Sequence, residues 1–273
     1  MATRRQVRTK VEGFVVSHEV FSLDEATKAL AHPRGKAGVR NSLGYYLRLG
    51  RLKSVTRGVY ASVPPGVDPE SFQPDRYLVA AKARPDAVFA YHAAFELLGE
   101  AHSDWSVCTV FTAVARRPVT LGSVRLRFLP HPSPFLQKNK AHFGTRQVVR
   151  GATTLAVTGP ERTLLDGLRR PDRAGGPLEV VESAAGFGVL DLELVRELLK
   201  LYDEKVLWAS AGWFLERFKQ RFFVPEDYLS ELERHRPKSP QYLLRNERGG
   251  TMAKRWNLIL PASVVGGREP DER

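Results

Sequence analysis

Apolar and polar positions alternate most regularly in residues 37–60, where a helical pattern is followed at once by two short extended runs. Four apolar side chains recur at the spacing that places them on one side of a helix: Val39, Leu43, Tyr46 and Leu47. Gly50 follows them, at a position where helix ends favour glycine. Residues 52–55 and 59–61 are extended runs with a turn at 56–58 between them. The pattern predicts a helix followed by a two-stranded hairpin.

Two further helices are predicted upstream of this segment. The first has an apolar stripe with basic residues around it: Val7, Val11, Phe14 and Val15, with Arg4, Arg5, Arg8 and Lys10. Ser22 and Glu25 have the spacing of a capping box, in which each side chain bonds the other residue's backbone N–H. The helix that they begin places Leu23, Ala26 and Leu30 inward, and Pro33 with Gly35 ends it.

Three short helices followed by a basic hairpin are the order of a winged helix-turn-helix. Residues 1–66 contain 12 Lys or Arg and 4 Asp or Glu, so +8 of the formal net charge of +12 lies there. A basic surface binds nucleic-acid phosphates, and a recognition helix in the major groove reads base edges. The sequence therefore predicts that this part of the chain binds double-stranded DNA. The alternative is a basic three-helix domain without a nucleic-acid partner.

Eight side chains are expected at the DNA interface. The exposed face of the predicted recognition helix supplies five of them: Lys36, Arg40, Asn41, Tyr45 and Arg48. The hairpin supplies Arg51, Lys53 and Arg57, which are expected to contact phosphates or the minor groove. Gly44 lies among the helical residues, where glycine costs about 1 kcal/mol relative to alanine. It either lets the DNA backbone approach closely or has no special role.

The rest of the chain predicts a larger mixed α+β region. Residues 62–73 contain three prolines and a glycine, which places a domain boundary between 1–66 and 67–273 with few contacts across it. Five helices are expected: 77–83, 93–98, a helix that begins at residue 160, 192–199 and 208–218. Four strands are expected: 106–112, 124–129, 146–149 and 155–157. A final hairpin is predicted between 241–246 and 255–260, with its turn at Gly249 and Gly250. Strands that alternate unevenly with helices favour an α+β class.

The sequence lacks the usual signatures of catalysis. No nucleotide-phosphate loop, dinucleotide fingerprint, nucleophile elbow or zinc-binding helix occurs, so neither a cofactor nor a metal is expected and the chain is not predicted to be an enzyme. The most site-like stretch is 158–166 (TGPERTLLD), a strand-to-helix joint whose helix start could also bind an anion. Asp166 is expected on the helix face away from Leu164 and Leu168, or at the edge of that face. His131 and His142 are expected in a solvated basic loop.

Composition also indicates the cellular compartment of the protein. The 273 residues are 42% hydrophobic, which is enough for a sizeable core. No apolar run approaches the length of about 18 residues that a membrane helix needs, and no secretory signal is predicted. The single cysteine, Cys108, lies in an apolar run and is expected to be buried. We therefore expect a cytoplasmic protein without a membrane partner.

Several segments together resemble a known family. Residues 21–30 (FSLDEATKAL) and 39–60 (VRNSLGYYLRLGRLKSVTRGVY) resemble the winged-helix start of the AbiEi antitoxin family. Three later segments match the same pattern in the same order: 91–99 (YHAAFELLG), 157–168 (VTGPERTLLDGL) and 255–261 (RWNLILP). One departure from the family is the segment 31–38, which is longer and more basic than a tight helix-turn-helix linker.

The resemblance implies a two-domain bacterial protein. Its N-terminal winged helix would repress its own operon by binding inverted repeats in promoter DNA, often as more than one copy, so self-association on DNA is open. Its C-terminal domain would be the antitoxin of a type IV toxin–antitoxin system, which neutralises a nucleotidyltransferase-like toxin with or without direct contact. Two alternatives remain at this point: a ligand-responsive repressor without a toxin partner, and an enzyme that acts on nucleic acid or on the toxin.

Overall fold

The structure is a computed structural model that describes residues 4–244 and 249–265, with side chains from residue 8 onward. The fold class is α+β, as predicted. The N-terminal part contains α1 (Arg4–Ser17), β1 (Val20–Ser22), α2 (Leu23–Leu30), α3 (Gly35–Arg48), β2 (Leu52–Thr56) and β3 (Val59–Ser62). The side chains of Arg4, Arg5 and Val7, which the sequence assigns to the first helix, lie outside the described residues.

The N-terminal helices enclose a core of their own. Val11, Phe14 and Val15 of α1 pack with Ala26 of α2 and Leu43 of α3, and all of them are buried, as the periodicity predicts. The capping box is confirmed, because Ser22 Oγ accepts from Glu25 N at 3.1 Å and Glu25 Oε2 accepts from Ser22 N at 2.8 Å.

A three-stranded antiparallel sheet in the order β1-β3-β2 completes this part. The hairpin of β2 and β3 is where the sequence predicts it, and Gly50 has the positive φ, +65°, that its position at the end of α3 suggested. Strand β1 was not predicted, because three residues are too short to show an alternation.

The prediction of a long loop over 31–38 is wrong. Helix α3 begins at Gly35, so that four residues link it to α2. The tight turn depends on Gly38, where an added Cβ would lie 2.1 Å from His32 Nδ1. His32 Nδ1 in turn accepts from Arg34 N at 3.0 Å. The glycine leaves room for the His32 ring against the start of the helix, which lets the chain turn at once.

A six-stranded mixed sheet forms the centre of the remaining chain, in the order β6-β7-β5-β4-β9-β8. Its elements are α4 (Arg76–Ala83), β4 (Val88–Phe89), α5 (His92–Leu98), β5 (Val107–Thr112), β6 (Val119–Leu121), β7 (Val124–Pro130), α6 (Ser133–Gln137), β8 (Thr145–Arg150), β9 (Thr153–Thr158) and α7 (Pro160–Arg169). The pairs β5–β7 and β4–β9 are parallel and the other pairs are antiparallel. Cys108 on β5 is fully buried, as predicted.

Helices fill the C-terminal third of the described chain. They are α8 (Pro177–Ala185), α9 (Leu192–Tyr202), α10 (Lys205–Arg217), α11 (Glu226–Arg234) and α12 (Ala262–Val265), accompanied by the short strands β10 (Gln241–Tyr242), β11 (Thr251–Ala253) and β12 (Leu258–Leu260). Together with α7 they bury one continuous apolar cluster that includes Trp256. No helix in the described ranges is long and apolar enough to cross a membrane.

The prediction of a hairpin between 241–246 and 255–260 is wrong. Residues 245–246 of its first strand lie outside the described residues, and β10 runs parallel to β12 instead of antiparallel. The antiparallel partner of β12 is β11. The chain reverses between these two strands at Asn257, whose φ is +48°, so β11 occupies one edge of β12 and leaves the other edge to β10.

The expectation of few contacts between 1–66 and the rest of the chain is also wrong, although the boundary itself stays a prediction. Helix α4 packs on β1 and β3, and Val20, Val59 and Ala61 share one apolar cluster with Tyr77 and Leu78. The outer face of the small sheet is apolar and needs a covering layer, which α4 supplies. The two parts of the chain therefore share part of their core.

Candidate nucleic-acid interface

Helix α3 presents the polar face that the sequence predicts. Val39, Leu43 and Tyr46 are buried, whereas Arg40 and Asn41 are exposed. Neither of these two side chains has an intramolecular partner within the described part of the chain. An arginine and an asparagine that are free and adjacent on one helical face have the donors and acceptors needed for bidentate contacts with guanine and adenine.

Tyr45 is held by helix α1. Arg8 Nη2 donates to the Tyr45 hydroxyl at 3.0 Å, and the guanidinium lies 5.2 Å from the centre of the Tyr45 ring. Arg48 is exposed beside Gly44, where an added Cβ would meet, of the described atoms, only Arg48 Nη1, at 3.8 Å. Packing therefore does not require glycine at position 44. The contact between Arg8 and Tyr45 was not predictable from the sequence, because it depends on how α1 crosses α3.

Three of the predicted interface cations already bond within the protein. Lys36 pairs with Asp24 at 2.6 Å and Arg51 with Glu12 at 2.9 Å, both on the surface. Exposed ion pairs contribute only about 0–1 kcal/mol, so a phosphate could replace either carboxylate. Lys53 Nζ instead donates to the carbonyls of Glu70 at 3.1 Å and Phe72 at 2.7 Å. Lys53 is half-buried, and its ammonium group holds the segment after the hairpin.

Arg57 lies in the hairpin turn, next to Gly58 with φ +77°, and is exposed. Among the side chains described it has no partner. Arg57, Arg40 and Lys36 line one cleft of about 1140 Å³ between the N-terminal part and the central sheet. The structure brings these three predicted residues together, whereas the other five do not line the cleft: Asn41, Tyr45, Arg48, Arg51 and Lys53.

The site-like stretch 158–166 is a strand-to-helix joint. Gly159 and Pro160 begin α7, and Glu161 in its first turn is 2% exposed. Glu161 Oε1 accepts from Asp191 N at 3.0 Å and lies 3.9 Å from Arg146 Nη2. A buried carboxylate in the first turn repels a second anion there, which favours the interpretation of this stretch as a strand-to-helix joint.

Asp166 lies in a buried charge network and not at an exposed edge of helix α7. Arg162 and Asp166 are both 0% exposed, and Arg162 Nε lies 3.6 Å from Asp166 Oδ2. Arg162 Nη1 also donates to the carbonyls of Ala141 and Phe143, each at 2.8 Å. Burial raises the pKa of Asp166 despite the lowering by the Arg162 charge and by the hydrogen bond that the Tyr202 hydroxyl donates. The network holds α7, α9 and the segment before β8 together.

The expectation that His131 lies in a solvated loop is wrong. His131 is 4% exposed and its Nδ1 lies 3.4 Å from Arg162 Nη2, while its ring packs 5.3 Å from that of Phe111. Burial and then the Arg162 charge lower the pKa of His131 to about 4. His131 is therefore neutral at physiological pH and is part of the core, whereas His142 is exposed.

A second buried polar group was not recognised in the sequence. The His92 ring is 0% exposed, with Nδ1 3.4 Å from Glu96 Oε1 and Nε2 3.2 Å from Glu179 Oε1. The preceding residue, Tyr91, has φ +57°, a strained conformation for a residue with a side chain. The i, i+4 spacing of His92 and Glu96 was the available signal. For residues 4–244 and 249–265, no group of three or more His, Cys, Asp or Glu side chains could hold a metal ion.

Comparisons with known proteins find a likeness to solved structures. No protein-family model matches the chain. No curated protein matches it either. The chain is similar to the crystal structure of the RV2827C protein from Mycobacterium tuberculosis, with a TM-score of 0.62 and 18% sequence identity over 94% of this chain and 92% of that one. At this level of identity the likeness shows a shared fold along nearly the whole chain, and the fold alone.

Proposed function

We propose that this chain is a DNA-binding transcriptional repressor whose N-terminal part is a winged helix-turn-helix. The observation that supports it is the order α1-β1-α2-α3-β2-β3 with a sheet ordered β1-β3-β2, in which α3 exposes Arg40 and Asn41 and the hairpin turn exposes Arg57. In winged helices of this order, the third helix enters the major groove and the hairpin contacts the flanking backbone. The local excess of positive charge favours the same partner.

The first prediction separates base recognition from backbone contact. Arg40→Ala or Asn41→Ala should weaken binding to the chain's own promoter by about 1–3 kcal/mol and reduce discrimination between bases, because each removes a bidentate contact. Arg57→Ala should weaken binding to all sequences alike and reduce the slope of log affinity against log salt by about 1, because it removes a phosphate contact. Titrations with promoter and scrambled duplexes at two salt concentrations measure both effects.

Arg234→Ala provides the matched control, since Arg234 is exposed at the end of α11 in the C-terminal helical part and does not line the cleft. It should leave both the affinity and the salt slope close to the wild-type values. Equal affinity of the wild-type protein for promoter and scrambled DNA would contradict sequence-specific recognition.

We further propose, from the resemblance to AbiEi proteins, that the repressor is also the antitoxin of a type IV system. The support is the matching order of five segments along the chain, and the partner would be a nucleotidyltransferase-like toxin encoded beside it. Because the two parts of the chain share core residues, the functions are best separated by surface substitutions in the full-length protein.

The second prediction concerns growth. Co-expression of the wild-type chain with the neighbouring toxin gene should restore growth, and the double variant Arg40→Ala/Asn41→Ala should protect equally well when both are expressed from an unrelated promoter. The same variant should fail to repress a reporter under the native promoter. Repression without protection would instead favour the ligand-responsive repressor, and would overturn the antitoxin role.

A further inference from the structure

The N-terminal part of the chain and the part with the central sheet each form one wall of the cleft between them. The N-terminal wall includes Lys36, Arg40 and Arg57, and the opposite wall includes the end of α4 and residues on β8 and β9. The cleft is open to solvent and lined mainly by polar atoms. Small-molecule sites are mostly apolar and bury most of their ligand, so the lining does not favour a small effector.

The charge in the cleft is strongly positive. Among the described residues, six cationic side chains line it, and Asp24 and Glu25 are the carboxylates there. Both carboxylates are already paired, Asp24 with Lys36 at 2.6 Å and Glu25 with Lys82 at 2.5 Å. Arg40 and Arg57 remain unpaired, as far as the described residues extend. A concave surface with excess cations of this kind concentrates a polyanion.

The wall opposite Arg40 and Arg57 offers neutral hydrogen-bond donors. Gln147 on β8 and Thr154 on β9 both line the cleft and are exposed. Their side chains have no hydrogen-bond partner within residues 4–244 and 249–265. Threonine and glutamine side chains are common partners of DNA phosphates, where they fix the position of the duplex without reading its sequence.

We propose that this cleft binds the DNA backbone next to the recognition helix, so that β8 and β9 provide a second phosphate-contacting surface beyond the winged helix. The inference rests on the proposed DNA binding, and it deepens that proposal by assigning one duplex to both parts of the chain. DNA that contacts Arg40 and Arg57 enters the cleft that these side chains line, and the wall that carries Gln147 and Thr154 faces it there.

Charge substitutions at Thr154 in the full-length protein test this inference. Thr154→Lys should steepen the slope of log affinity against log salt by about 0.9, and Thr154→Glu should make it shallower by a similar amount, since each phosphate contact contributes about that much. Between 50 mM and 200 mM salt, a change of this size is about a threefold difference in affinity. The probe is a random-sequence duplex of about 30 base pairs, roughly three helical turns.

Thr120→Lys and Thr120→Glu are the matched controls, because Thr120 is an exposed strand threonine on β6, at the opposite edge of the same sheet. Opposite slope changes at Thr154 with none at Thr120 would support the inference. Wild-type slopes in both Thr154 variants, or equal changes at Thr120, would overturn it while the DNA binding of the wild-type protein stands. Absence of wild-type binding to this duplex and to the native promoter would overturn the proposed function itself. Melting temperatures close to that of the wild type establish that each variant is folded.

Discussion

Replacement of Arg162 by alanine lowers the free energy of unfolding by about 3–5 kcal/mol, the cost of leaving one charge of a buried ion pair without its partner. Arg162 and Asp166 are both 0% exposed, so no solvent compensates the remaining carboxylate. The carbonyls of Ala141 and Phe143 also lose their donor. Urea denaturation of the wild type and the variant at pH 7 measures the difference.

The loss of stability in Arg162→Ala should depend on pH. Burial raises the pKa of Asp166 in the folded protein, and removal of the Arg162 charge raises it further. An acid whose pKa is higher in the folded state stabilises the fold fully below its unfolded pKa of about 3.9, and this contribution falls as the pH rises towards the folded pKa. The deficit of the variant should therefore be smaller near pH 5 than near pH 8.

Two controls distinguish the buried pair from charge effects in general. Arg170→Ala breaks an ion pair at 2.9 Å whose side chains are 41% and 59% exposed, and it should cost at most about 1 kcal/mol. The double variant Arg162→Met/Asp166→Asn removes both charges and should recover most of the loss. A single Arg162→Ala variant as stable as Arg170→Ala would contradict the buried network.

Trp256→Ala should cost about 3–5 kcal/mol, because a large indole that is 0% exposed leaves a cavity. Its Nε1 also donates to Glu216 Oε2 at 2.6 Å. Gly212 on α10 makes room for this ring, since an added Cβ would lie 2.1 Å from Trp256 Cζ3. Gly212→Ala alone should therefore destabilise by about 1–3 kcal/mol through overpacking. Thermal unfolding of each variant provides the measurement.

The two substitutions should interact. In the Trp256→Ala background the clash is gone, so Gly212→Ala should become neutral or should stabilise by up to about 1 kcal/mol, the ordinary advantage of alanine over glycine in a helix. Gly44→Ala on α3 is the matched control, because nothing but Arg48 Nη1 lies near its added Cβ, and it should stabilise in the wild-type background. Additive effects of Gly212→Ala and Trp256→Ala would show that the two residues do not meet.

The sequence alone determined the local structure of the N-terminal part. The capping box, Gly50 and the spacing of Val39, Leu43 and Tyr46 act within one helix or its ends, where each residue interacts with neighbours three or four positions away. Such signals are visible in the sequence because they need no distant partner. The exposed positions of Arg40 and Asn41 followed from the same periodicity. The α+β class followed from the uneven alternation of predicted strands and helices along the rest of the chain.

The tertiary structure decided what depends on residues far apart in sequence. Lys53 donates to the carbonyls of Glu70 and Phe72, and β10 pairs in parallel with β12, although both segments had simpler local interpretations. Asp166 became a buried ion partner only because α9 and the segment before β8 close over α7. The cleft beside Arg57 exists because α4 covers the small sheet. The burial of apolar surface drives this packing, and because it is non-directional, the sequence does not show which distant segments it brings together.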